Sequence, residues 1–118
     1  MAEYRYTHSD RMEQLRALEL ALLELIPVAQ KLGITEAAQY EWALSRTRWL
    51  MANGHTQDDL TALGTQVPDV FSRHKEWMPP LEQLPDGSWR EAAWFQELEE
   101  KLQPTLHAAG MLPVVGFY

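Results

Sequence analysis

Ser9-Asp10-Arg11-Met12-Glu13-Gln14-Leu15-Arg16-Ala17-Leu18-Glu19-Leu20-Ala21-Leu22-Leu23-Glu24-Leu25-Ile26-Pro27-Val28-Ala29-Gln30-Lys31-Leu32-Gly33 is the stretch that decides the fold. At 100° per residue, Met12, Leu15, Leu18, Leu22, Leu25, Ile26 and Ala29 gather on one face, with Glu13, Arg16 and Glu24 opposite. The reading is an amphipathic helix, capped at Ser9 or Asp10 and stopped at Gly33 in a left-handed turn. Pro27 lacks an N–H and crowds the turn before it, so a kink or break is expected near Glu24 to Pro27.

Outward from this segment the helical signals continue. Thr35 opens a second helix, Glu36 to Asn53, closed by Asn53-Gly54. Trp42 and Trp49, seven residues apart, align with Ala38 and Ser45, and Tyr40, Leu44 and Met51 form a second apolar strip. Two strips imply two neighbours, so this helix is expected at the centre with both tryptophans buried. Arg46 is placed to stack on Trp42. Thr56 with Asp59 is a capping-box pair for a short helix, Gln57 to Leu63, ended by Gly64. Pro68 suits the first turn of a further segment to Trp77. Pro79 to Gly87 reads as an extended connection with a turn at Asp86-Gly87. Ser88 with Glu91 predicts the start of a last helix to Ala109, striped by Phe95, Leu98, Leu102, Leu106 and Ala109, with Pro104 a possible kink. The ends, Tyr4 to Thr7 and Met111 to Tyr118, carry the composition for a small β-ribbon. The predicted class is therefore all-α, a compact array of four to five helices in a single domain over residues 1–118, with a short terminal ribbon as an option.

Composition narrows function by exclusion. The 118 residues include no cysteine, which removes disulfides, thiolate nucleophiles and cysteine metal sites. The start of the chain lacks the basic-then-apolar order of a secretory leader, and the first helix is too interrupted by charge to span a bilayer, so a cytoplasmic location is the expectation. His8, His55, His74 and His107 never fall at i, i+4, and neither a glycine-rich phosphate loop nor a nucleophile elbow is present. No catalytic residue, metal or cofactor is predicted.

Charge is the informative feature. The formal net charge is -7, which disfavours a nucleic-acid partner. Residues 1–54 hold six basic and seven acidic side chains, whereas residues 55–118 hold four and ten. An acidic second half is suited to steering a basic protein. Tryptophan points the same way: Trp77 and Trp89 flank the proline-rich connection. Either they close over it as a minor core, or they stand beside Glu82, Asp86 and Glu91 as an aromatic anchor rimmed by carboxylates. Adding Glu97, Glu99 and Glu100 from the last helix gives the expected partner-binding set. The expected function is a non-enzymatic interaction module, in concrete form an immunity-type inhibitor of a toxin or nuclease. Two alternatives stand beside it: a ligand-binding or catalytic pocket around Glu19, Arg46 and His74, with Glu19 paired to Arg46, and a homo-oligomeric structural subunit.

Overall fold

The computed structural model describes residues 4–71, 73 and 76–117. In chain order the elements are β1 (Tyr4–Arg5), α1 (His8–Lys31), α2 (Ala37–Asn53), α3 (Gln57–Thr65), β2 (Leu81–Gln83), β3 (Trp89–Glu91), α4 (Ala93–Met111) and β4 (Gly116–Phe117). The fold is all-α with two small antiparallel ribbons. β1 pairs with β4, Tyr4 opposite Phe117, so the terminal ribbon forms; β2 pairs with β3.

α1 begins one turn earlier than its sequence signals suggest. Thr7 is the N-cap, its hydroxyl accepting from the Asp10 N–H while the Asp10 carboxylate accepts from the Thr7 N–H. This reciprocal pair satisfies two donors that a helix start leaves orphaned. The helix then runs without a break through Pro27, whose ring lies on the exposed side. Gly33 supplies the left-handed stop at φ 68°. Leu15, Leu18, Leu22 and Leu25 are fully buried, each contributing about 1.5–3 kcal/mol of transfer free energy.

The central helix is α1, a correction to the expectation for α2. α1 holds α2 on one flank and α4 on the other, and α3 packs against both α2 and α4. The buried face of α2 is Tyr40, Ala43, Thr47 and Leu50, while Trp42 and Trp49 are 42% and 51% exposed. Tyr40 and Leu50 bracket two smaller side chains, Ala43 and Thr47, on this face. Thr47 qualifies because its hydroxyl bonds the Ala43 carbonyl oxygen at 2.7 Å, leaving only its methyl to pack.

Two further helix signals are overruled locally. Residues 68–77 do not form a helix where the structure describes them; instead the Asp69 carboxylate accepts from the Phe71 N–H at 3.0 Å, a side-chain turn that competes with helical bonding. Ser88 does not cap α4. Its N–H and hydroxyl both donate to Asp86 Oδ1, at 2.9 and 2.6 Å, immediately after the Leu84-Pro85-Asp86-Gly87 turn that joins β2 to β3. Gly87, at φ 88°, provides the positive angle such a hairpin turn needs. α4 consequently starts at Ala93 without a side-chain cap, and it runs past Gly110 to Met111.

The structure is thin. Its Cα extents are 56 × 35 × 18 Å and its radius of gyration is 16.8 Å, against about 13.5 Å for a compact domain of this length. No helix among the described residues is long and apolar enough to cross a membrane.

Candidate functional site

The β2–β3 hairpin carries the most exposed tryptophan, Trp89. Strand pairing sets Leu81 opposite Glu91, Glu82 opposite Arg90 and Gln83 opposite Trp89. Because side chains alternate along a strand, Leu81, Gln83, Trp89 and Glu91 share one face, and Glu82 and Arg90 share the other. On the first face Trp89 is 62% exposed and Leu81 48%. On the second, Arg90 Nε donates to Glu82 at 2.7 Å. The Asp86 carboxylate sits at the hairpin tip, its pKa held below the ordinary carboxylate range by its bonds from Ser88. Met78, just before the hairpin, is also strongly exposed.

Trp77 and Trp89 therefore divide between the two roles open to them. Trp77 is half-buried among Phe71 and Phe95, with ring centroids at 5.6 and 5.7 Å, and Arg73 lies over it at 4.9 Å. This is the minor core. Trp89 is the surface residue. Trp94 joins the cluster through Phe71 and Phe95 but keeps 42% of its surface exposed.

The carboxylates named from sequence do not form one continuous patch. Glu97 is bonded by Lys31, across the α1–α4 contact, and Glu99 by Arg73. Glu82 faces away from Trp89, and Glu100 points outward with Lys101 at 3.9 Å. What remains around Trp89 is Glu91 beside it and Asp86 at the tip.

The anticipated pocket set does not converge either. Glu19 accepts from Arg48 Nε at 3.0 Å, not from Arg46. Arg46 lies over Trp49, 4.7 Å from the ring centroid, instead of Trp42, and pairs with Asp59 at 3.7 Å. His74 lies outside the described residues. Two histidines far apart in sequence do meet, His8 stacking on His55 at 5.4 Å, yet no group of three potential metal ligands occurs among the described residues.

Sequence reasoning missed a groove of about 480 Å³ between α1 and α4. Ala17, Ala21, Pro104 and Ala108 form its apolar wall, and Tyr6, Asp10, Glu13 and His107 bring polar groups to it. The early signal was the pair Ala17 and Ala21, one turn apart on α1, which leaves space where larger side chains would close the helix contact.

Comparisons of this chain with protein-family models, with curated proteins and with solved structures returned no match.

Proposed function

We propose that this chain is a non-enzymatic protein-binding module that takes a basic partner on its hairpin, in concrete form an inhibitor that covers the cationic surface of a toxin or nuclease. The observation that carries the reading is Trp89, the most exposed tryptophan, on the same hairpin face as Leu81 and Glu91. A large rigid side chain already standing in solvent loses little rotamer freedom on docking, and tryptophans at such positions dominate binding energies. The carboxylates Glu91 and Asp86, within an acidic half of the chain, favour a cationic counterpart and speed its capture.

The test is affinity capture from the native host, followed by kinetics on the captured protein. Trp89→Ala is expected to weaken the complex by about 2 kcal/mol or more, roughly thirtyfold, chiefly in dissociation. Glu91→Lys slows association, and added salt slows it further. A complex indifferent to both substitutions and to salt would overturn the assignment.

The α1–α4 groove supports a second reading, binding of a small organic cation with an apolar body. Its volume lies within the usual range of ligand sites, and its carboxylates stand at an apolar wall. Amphiphilic amines should then raise the melting temperature of the parent chain but not of Ala17→Trp, which fills the groove; equal shifts in both would remove this reading.

A further inference from the structure

The outer face of α2 has no neighbouring element among the described residues and no part in the hairpin. Ala38, Trp42, Ser45, Trp49 and Ala52 are all exposed and follow one another at intervals of four, three, four and three residues. That is the spacing of a coiled-coil seam, where one helix presents a narrow stripe to another. The stripe also reads the same in both directions: Ala, Trp, Ser, Trp, Ala. We propose that it is a self-association surface, on which α2 of a second copy of this chain packs antiparallel across a two-fold axis at Ser45.

Size complementarity follows from the palindrome. With the dyad at Ser45, each Trp42 meets the partner's Trp49, each Ala38 meets the partner's Ala52, and the small residues leave the hollows into which the indoles insert. An isologous contact requires a surface to be its own complement, and this order of side chains meets that condition.

Charge gives an independent argument. Glu41 and Arg48 lie on the flank of α2 that borders α1, where Glu41 is bonded by Gln30 and Arg48 reaches Glu19. Glu41 is four residues before Ser45 and Arg48 three residues after it, so the dyad brings Glu41 within one residue, about 1.5 Å along the axis, of the partner's Arg48, and Arg48 likewise of the partner's Glu41. Parallel packing would oppose like charges there instead. On the other flank Arg46 approaches the partner's Arg46, and each is already drawn back by its own Asp59 and its own Trp49 ring.

The thinness of the molecule explains why such a stripe is left bare. With a shortest extent of 18 Å, the core is consumed by the inner faces of the helices. α2 has 17 residues, about 26 Å of helix, which places the contact at the small end of specific interfaces, with dissociation expected in the micromolar range.

Sedimentation equilibrium of the full 13.6 kDa chain, from low micromolar to millimolar concentration, is the direct test. The average mass should rise toward twice the monomer. Ser45→Glu, which sets like charges on the dyad, and Trp49→Ala should each weaken the dimer at least tenfold while leaving the melting temperature of the dilute monomer nearly unchanged. Mixing E41R with R48E should favour the mixed dimer severalfold over either variant alone. The absence of native cysteine makes thiol reporters specific. On oxidation S45C should link to itself and A38C to A52C, whereas A38C should not link to itself. A constant monomer mass, a dimer that survives both Ser45→Glu and Trp49→Ala, or self-linking of A38C in place of the mixed link would overturn the proposal. Because Trp89 and Glu91 lie on a different element, failure here leaves the hairpin assignment standing, and the reverse.

Discussion

Arg11 is 5% exposed yet makes four hydrogen bonds that tie three parts of the chain together. Its guanidinium donates to the side chains of Gln14 and Gln57 and to the backbone carbonyls of Met111 and Val114, at 2.6–3.1 Å. The planar fork reaches acceptors in several directions, which an ammonium does not reproduce. Burial lowers its pKa from the ordinary arginine value, yet at neutral pH it remains a cation held almost wholly by neutral oxygens. Tyr40 is a second buried polar anchor. Its hydroxyl donates to the Pro68 carbonyl at 2.7 Å, and burial first, then the Glu36 and Asp69 carboxylates, push its pKa well above the ordinary 10.0. The unfolded chain ionises this phenol before the native one does. The stability it contributes is thus complete below about pH 10 and is lost as pH rises beyond that. Tyr40→Phe should cost about 1 kcal/mol at neutral pH and flatten the alkaline decline; urea titrations across the range would show whether both changes occur.

Among the elements, α3 and α4 show how a single residue sets a helix contact. Gly64 lies inside α3 and does not terminate it. A Cβ there would come within 2.5 Å of the Ala109 carbonyl oxygen and 2.9 Å of Pro113 Cδ, and backbone does not move aside cheaply. Gly64→Ala should therefore destabilise by about 1–3 kcal/mol, opposite in sign to its gain in helix propensity, as denaturant midpoints would reveal. The same scale explains the ion pairs of α4. Lys31 and Arg73 hold Glu97 and Glu99 within the fold, so these carboxylates link elements and are less available to a partner than the exposed Glu91 and Asp86. The hairpin, too, is an element-level outcome. A Pro-Asp-Gly turn and cross-strand pairing use Ser88 to Glu91, and the capping pattern those residues also spell is left without effect.

At the level of the whole molecule, three long helices side by side, with α1 between α2 and α4, make a slab with large outer faces. Small-angle scattering of the dilute chain should give a radius of gyration near 16.8 Å, well above the value of about 13.5 Å for a compact domain. A value at the compact end would mean that the helices fold over one another in solution. The two proposed surfaces lie on separate elements of this slab, Trp89 on the hairpin and the tryptophan seam on α2. A basic partner and a second copy therefore address different side chains.

Helix periodicity, capping pairs and turn residues determined the class, the existence of α1 and its stop at Gly33, the Thr56–Asp59 start of α3 and the Asp86-Gly87 turn, because these depend on contacts within a few residues; terminal composition left the pairing of the two ends as an option, which the fold takes up. Tertiary structure alone decided which face of α2 is inside. Trp42 and Trp49 look like core by size, yet the inward face is Tyr40, Ala43, Thr47 and Leu50, because packing against α1 and α3 sets which side of α2 turns inward. Which carboxylates are neutralised was settled in the same way: Glu97 meets Lys31 and Glu19 meets Arg48 across helix contacts, and Glu99 meets Arg73 of the non-helical segment before β2, at separations of 26 to 66 residues in sequence. Charge pairing over such separations follows from packing geometry, and no local pattern encodes it.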